Sequence, residues 1–350
     1  MTPTTTAGPK LTRQDFVSDQ EIRWCPGCGD YSILAQMQRV LPELGIPREK
    51  LVFVSGIGCS SRFPYYMNTY GFHTIHGRGT AVATGIKCAR PDLSVWVATG
   101  DGDGLSIGGN HMLHLLRRNV DVKVLLFNNR IYGLTKGQTS PTSERGKMTK
   151  STPFGSIENP IHPISFAIAA EATFVARTID VDSAHLQEIL KRAAMHKGIA
   201  FVEILQNCNI FNDGAWDDVS DKSRRSDNVV VLEQGKPLIY GANRDKAIRI
   251  TGFSLESVKT GPDGVPESDL PLHDEHTPNS MWAFQLSRME QIGLPTPIGV
   301  FRAVEEPTYD ELLETQVQDA KEHGSRDLLR KLLYSGQRWT VGGNGSGGGN

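Results

Sequence analysis

Asp101 and Asn129 close two short apolar runs: residues 94–99 end in Gly100-Asp101-Gly102-Asp103, and residues 122–127 end in Asn128-Asn129. A helical pattern from about Ile107 to Arg118 joins the runs. Strand, helix and strand in that order read as a βαβ unit, whose crossover makes the strands parallel and puts both polar endings on one edge. Ligands of open α/β sheets bind outside that carboxyl edge. Oxygens from Asp101 and Asn129 there suit a hard cation such as Mg2+, shared with phosphates. Cysteines gather at the same edge. Cys59 follows the apolar run 51–55 and Cys208 follows the run 200–205, while Cys25-Pro26-Gly27-Cys28 precedes a helix that can return it there. Four thiolates suit a [4Fe-4S] cluster or Zn2+. The absence of a second C-x-x-C pair and the adjoining cofactor edge favour the cluster. Cys88, on a small-residue helix, is expected to be a buried apolar cysteine.

The elements that must position these residues follow from periodicity. Ile33, Leu34, Met37, Val40, Leu41 and Leu44 share one helical face, and residues 51–55 form a buried strand. His73 to His76 is expected as a short strand before Gly77-Arg78-Gly79 and the small-residue helix 80–88. Residues 139–163 form a long polar loop, of a length that is commonly functional. Helix 164–173, strand 174–177, helix 183–196 and strand 200–205 complete the alternation, which predicts an α/β fold, a parallel sheet with helices on both faces. Beyond about 220 the rhythm becomes hairpin-like, with pieces 229–232 and 238–240 joined by residues 234–237. Residues 260–278 read as loop. Helical patterns at 280–292 and 309–334 flank the Pro-rich stretch 294–298. The expected organisation is a flexible lead-in (1–20), an α/β domain (21–220), a C-terminal extension (221–335) that contacts a subunit or covers the site, and a Gly-rich disordered tail (336–350).

The bulk numbers exclude several classes. A net charge of −2 gives no electrostatic footprint for nucleic acid or an anionic membrane, and no apolar run reaches membrane-spanning length. The polar N-terminus lacks the apolar segment of a secretory signal, so the cytoplasm is expected. Five cysteines, two of them in C-x-x-C, fit a metal or redox site better than a disulfide framework.

The interval of 28 residues from Asp101 to Asn129 resembles the GDG…NN pattern by which thiamine diphosphate enzymes hold Mg2+ and the cofactor's diphosphate. Taken in order, CPGCG, GIGCSSR, HGR, GDGD…NN, TKGQ, the late cysteine, LPLHDE and PTPIGVFR resemble the β subunit of the 2-oxoacid:ferredoxin oxidoreductases, most of all the 2-oxoglutarate type, over residues 20–305. The resemblance implies oxidative decarboxylation of a 2-oxo acid with coenzyme A, electrons passing through a [4Fe-4S] cluster to ferredoxin. It further implies Mg2+ ligation by Asp101, Asn129 and the carbonyl of Ile131, and cluster ligation by Cys25, Cys28, Cys59 and Cys208. Gly58, His76, Gly77, Gly100, Gly102, Asp103 and Asn129 would hold thiamine diphosphate, with Gly102 and Asp103 giving backbone donors. Arg62, Leu134 and Lys136 match positions associated with substrate recognition. The glutamate that activates the aminopyrimidine is expected on an α subunit, so no such residue is assigned here and the isolated chain is expected to be inactive. Arg78 is a lesser candidate beside His76. The stretch His273-Asp274-Glu275-His276 and the loop cations Arg145, Lys147 and Lys150 are expected to be solvated surface. The competing readings are a non-redox thiamine diphosphate lyase or synthase, and an iron-sulfur scaffold subunit without thiamine.

Overall fold

The computed structural model describes residues 11–339 except Asp263 and Ser325. The first ten residues of the expected lead-in and the Gly-rich tail beyond Trp339 lie outside the described residues. The chain divides into two compact units, one ending at Asp310 and one beginning at Glu311.

The first unit is built on an eight-stranded sheet. Its strands in chain order are β1 (Leu51–Ser55), β2 (Tyr70–His73), β3 (Ser94–Gly100), β4 (Val122–Asn128), β5 (Phe174–Ile179), β6 (Ala200–Leu205), β7 (Val229–Leu232) and a late strand, Thr296–Ala303. A separate three-stranded sheet of β8 (Ile239–Tyr240), β9 (Lys246–Thr251) and β10 (Ser254–Lys259) lies between them in sequence, so the late strand is β11. The order across the large sheet is β2-β1-β3-β4-β6-β5-β11-β7, and every pairing is parallel except that of β11 with β5. Both faces are covered, so the central strands are buried along their length and alternate residues serve opposite cores. Val95 and Val97 of β3 enter one core, packed by α2 (Gly79–Ala89), α3 (Gly109–Arg117), α4 (Pro163–Ala169) and α8 (Met281–Leu286). Trp96 and Ala98 enter the other, under α1 (Asp30–Val40) and α5 (Ser183–Met195). Two short helices, α6 (Asp217–Ser220) and α7 (Lys222–Asn228), precede β7. The second unit consists of most of α9 (Tyr309–His323) and α10 (Arg326–Leu333), where the sequence pattern suggests one long helix and Gly324 intervenes instead.

Three expectations are corrected. The short strand lies at Tyr70–His73 rather than from His73 onward, because β2 pairs from Val52↔Tyr70 to Ser55↔His73 and the chain then turns through Gly77 at φ +66°. All four of its side chains are exposed on the sheet edge, so no burial period marked it. The pieces at 229–232 and 238–240 do not pair as a hairpin: β7 joins β11 in parallel and β8 pairs with β9. The Pro-rich stretch opens β11, a buried strand. Pro297 stands near its start, where a missing N–H costs least.

Candidate active site

The carboxyl ends of β1, β3 and β4 open into one cleft. It is lined by Asp30, Gly58, Cys59, His76, Gly100, Asp101, Gly102, Asp103, Asn129, Ile131 and Leu134, with the ring of Tyr132 and the backbone turn at Gly133. β3 passes into helix at Asp101 without a loop, and residues Asp103–Ile107 widen into a π-turn in which the Gly108 N–H donates to Asp103 O at 2.9 Å. Such turns interrupt helices at functional sites.

Asp101 is 2 % exposed. Thr142 Oγ1 donates to its Oδ2 at 2.6 Å, and Ser140 donates to the same oxygen. Burial pushes its carboxyl up to about 6, against these hydrogen bonds. Asn129 and Ile131 line the same cleft, and a carboxylate there is an oxygen donor of the kind Mg2+ takes. The two asparagines divide the work. Asn128 is buried, donating to Glu203 Oε1 at 2.7 Å with its Oδ1 3.0 Å from Thr142 Oγ1, while Asn129 lines the cleft and caps the turn by accepting from the Ile131 N–H at 3.2 Å.

Asp103 does not spend its side chain on the cleft. It accepts from the Gly77 N–H at 2.7 Å and from Thr99 Oγ1 at 2.8 Å, tying the HGR turn to the end of β3. Gly77 is therefore buried behind the cleft and holds His76 at its lining. A side chain on Gly77 would meet the backbone of Gly108 at 2.5 Å. At Gly102 a Cβ would fall 2.2 Å from the Tyr132 ring, whose hydroxyl donates to Gly102 O at 2.9 Å. Glycine at 102 is thus what lets the Tyr132 ring pack against this backbone at the edge of the cleft.

The cysteines lie at one side of the cleft. A Cβ on Gly133 would stand 3.4 Å from Cys208 Sγ and 3.8 Å from Cys59 Sγ, so two sulfurs flank the turn that follows Asn129. The Cys28 N–H donates to Cys25 O at 3.1 Å, and Cys28 Sγ accepts from Gln206 Nε2 at 3.2 Å. Burial pushes the Cys59 thiol up to about 12 and raises that of Cys28 as well; Cys59 is raised further by Asp30, Cys208 and Cys25, and Cys28 by Asp30, Cys59 and Cys208. Among the described residues no three His, Cys, Asp or Glu side chains close round a single ion. Cys88 is half-buried on α2, away from this group.

The substrate candidates are spread. Leu134 is 49 % exposed and borders both the cleft and an adjoining cavity lined by Arg62, Arg23, Tyr65 and His73. Arg62 is steadied there by donating to Arg23 O at 2.8 Å. Lys136 lies outside both linings, in a left-handed turn at φ +76°, its N–H donating to Gly133 O at 3.0 Å. Arg78 Nη1 donates to His76 O at 3.2 Å, and Lys147 reaches Asn212 Oδ1.

The expectation that residues 273–276 are solvated is wrong for two of the four. His273 is fully buried, donating from Nε2 to Val300 O at 2.7 Å and accepting from Trp282 Nε1 at 3.2 Å; burial pushes its pKa down. Glu275 is buried in an ion pair with Arg192. Asp274 and His276 are exposed. Sequence reasoning also missed Asp30, whose carboxyl is 1 % exposed at the cleft with one oxygen lacking a partner, and which burial pushes up to about 7. The signal was its place directly after CPGCG. Tyr132, Ser140 and Thr142 had no signal beyond the unusual length of the loop from 139.

Comparisons with known proteins agree with this geometry. The family described as thiamine pyrophosphate enzyme, C-terminal TPP binding domain, matches residues 56–204. The 2-oxoglutarate oxidoreductase subunit KorB of Mycobacterium tuberculosis is 52 % identical over 97 % of this chain and 93 % of its own. The 2-oxoglutarate synthase subunit KorB of Methanocaldococcus jannaschii is 48 % identical over 53 % of this chain and 68 % of its own. Among solved structures, the 2-oxoglutarate:ferredoxin oxidoreductase from Magnetococcus marinus with 2-oxoglutarate, coenzyme A and succinyl-CoA bound superposes with a TM-score of 0.73 at 34 % identity, covering 93 % of this chain and 97 % of that one. The chain therefore belongs to the 2-oxoacid:ferredoxin oxidoreductase β subunits, in the branch of the KorB subunits.

Proposed function

We propose that this chain is the diphosphate-binding half of a 2-oxoglutarate:ferredoxin oxidoreductase, which converts 2-oxoglutarate and coenzyme A to succinyl-CoA and CO2 and passes two electrons to ferredoxin. The observation that carries the reading is the joining of two features on one turn: Asn129 and Ile131 face the cleft with Asp101, and Gly133, two residues on, is flanked by the sulfurs of Cys59 and Cys208. A thiamine enzyme that only cleaves carbon bonds has no need of the second feature. An electron-transfer scaffold has no need of the first.

The chemistry supplied by bound thiamine diphosphate is carbon–carbon cleavage next to a carbonyl, and that of an iron-sulfur cluster is one-electron transfer. The chain's residues position both. Asp101, Asn129 and the Ile131 carbonyl hold Mg2+, with Ser140 and Thr142 fixing the Asp101 carboxylate. Gly58, Gly100, Gly102 and the Asp103 backbone receive the diphosphate, and His76 borders it. Cys25, Cys28, Cys59 and Cys208 ligate the [4Fe-4S] cluster. Arg62, with Leu134 between it and the cleft, and Lys136 on the following turn give positive charge for the second carboxylate of 2-oxoglutarate. An α subunit carries the aminopyrimidine half and its activating glutamate, and residues 221–310 outside β7 and β11 serve as subunit contact or site cover.

Iron, sulfide and thiamine analysis of the anaerobically purified α/β complex, with turnover on 2-oxoglutarate, coenzyme A and ferredoxin, tests the reading. Cluster plus thiamine plus ferredoxin reduction is the expected result. Thiamine without iron would return the chain to the lyases, and iron without thiamine to the scaffolds. Turnover by the pure isolated chain would overturn the half-site assignment.

A further inference from the structure

We propose that Gln206 sets the reduction potential of the cluster held by the four cysteines, by donating a hydrogen bond from its side-chain amide to Cys28 Sγ; the inference rests on the cluster reading above. Gln206 follows the last residue of β6 and is fully buried. Its backbone N–H donates to Asn128 O at 3.0 Å, so its main chain is clamped to the end of β4. From there Nε2 lies 3.2 Å from Cys28 Sγ and 2.7 Å from Asn207 O. The second contact fixes which end of the amide faces the sulfur. Reversing the amide would set its oxygen against the Asn207 carbonyl oxygen, so the nitrogen is the end that meets Cys28.

The surroundings are shaped to permit this contact. A Cβ on Gly29 would lie 3.0 Å from Gln206 Cγ and 1.9 Å from Asp180 Oδ2. Only a glycine after Cys28 lets the Gln206 side chain and Asp180 lie against the C-x-x-C turn. The arrangement also carries a cost that packing does not explain: Gln206 Oε1 is buried with no partner. Buried polar groups are normally satisfied, and a leucine would fill the same volume without that penalty. The amide is accounted for by what its nitrogen does.

The electrostatics give the direction. Negative charge on the cluster and its thiolates grows on reduction, so an N–H aimed at a ligand sulfur stabilises the reduced form more than the oxidised one and raises the potential. Burial strengthens the effect, because no water competes for the donor or screens it. Gln206 is therefore a positioning residue that acts through Cys28, easing the entry of electrons from the cleft without touching substrate.

The test is an EPR-monitored redox titration of the anaerobically purified α/β complex, wild type against Gln206→Leu. The expected result is a reduced-to-oxidised ratio about tenfold lower at the same poise, which is 59 mV for a one-electron couple. Iron, sulfide and thiamine contents and KM for 2-oxoglutarate should stay unchanged while kcat falls. Gln206→Glu, which puts an acceptor and a charge beside the sulfur, should shift the potential further in the same direction. A Leu variant that keeps its cluster at the wild-type potential would overturn the proposal. Should the variants fail to assemble, wild-type complex labelled with 15N in its glutamine side chains decides it: hyperfine coupling of that nitrogen to the reduced cluster is expected, and its absence refutes the contact. A wild-type complex without iron and sulfide would instead remove the cluster reading itself.

Discussion

The two ends of the same strands are built on opposite principles. At the amino edge, Lys123 at the start of β4 is 5 % exposed, and its ammonium reaches Asp121 Oδ1 at 2.6 Å, Gly198 O at 2.9 Å and the carbonyl of His196. Lys87 closes the other side of Asp121 at 2.8 Å while donating to Pro91 O and Leu93 O. Asn119 there donates to the carbonyls of Glu306 and Pro307 and accepts from the Ile199 N–H and Thr173 Oγ1. At the carboxyl edge, Asp30, Gln206 and Asn209 each keep a buried oxygen without a protein partner. The Lys87–Asp121–Lys123 cluster is satisfied within the fold, as stability requires, whereas the Asp30 carboxyl at the cleft keeps an oxygen open.

Breaking each end should therefore give opposite results. Asp101→Asn is expected to have the largest effect. Losing an outer-shell partner of a metal ligand costs about 10–100-fold, so if Asp101 ligates Mg2+ as proposed its loss should lower turnover by more than about a hundredfold. The melting temperature of the complex should hold or rise, since a buried charge has been removed. A melting temperature that falls as far as that of an amino-edge variant would erase the contrast. Lys123→Met should do the reverse, destabilising the fold by about 3–5 kcal/mol in urea titrations because Asp121 and two carbonyls lose a partner. Thiamine diphosphate affinity of the molecules that remain folded should match wild type, and a weakened affinity would show that the two edges are coupled.

Two smaller effects sharpen the comparison. Lys136→Ala should lower the ratio of kcat/KM for 2-oxoglutarate over pyruvate by about one to two decades, the worth of a charge-assisted bond of roughly 1.5–3 kcal/mol. An unchanged ratio would remove Lys136 from substrate selection. At the amino edge, burial and then the Lys123 charge push His196 down to about 4 from its ordinary 6.5. Between those values the unfolded chain binds a proton that the folded one does not, so this contribution is constant above pH 6.5 and drains as the pH falls toward 4. His196→Gln should flatten that part of the acid decline in melting temperature by a few degrees. An identical slope in the variant would assign the decline to other groups.

Strand-end chemistry was legible because it is local. A run such as Val95, Trp96, Val97 and Ala98 that ends in a glycine and an acid states both the strand and its exit, and the β4 exit at Asn128 and Asn129 does the same. The C-x-x-C turn and the residues after β1 and β6 could be read as one constellation on the same grounds. Edge strand β2 could not be read, since its exposed side chains carry no burial period, and β11 was hidden because prolines at its start normally mark a break. His273 and Glu275 read as surface from composition, but their burial depends on Trp282, Val300 and Arg192, which come from other parts of the chain.

The sequence by itself determined the parallel α/β alternation, the edge on which the cofactor residues meet and the family, because these follow from periodicity and from motifs at fixed intervals. Only the tertiary structure decided which oxygen of Asp101 is held by Ser140 and Thr142, that the Asp103 carboxylate is spent on Gly77 and Thr99, and that Gln206 faces Cys28. Those choices depend on contacts between residues far apart in the chain, 178 positions in the case of Gln206 and Cys28. Sequence spacing sets which edge a residue reaches; packing decides which atom it meets there.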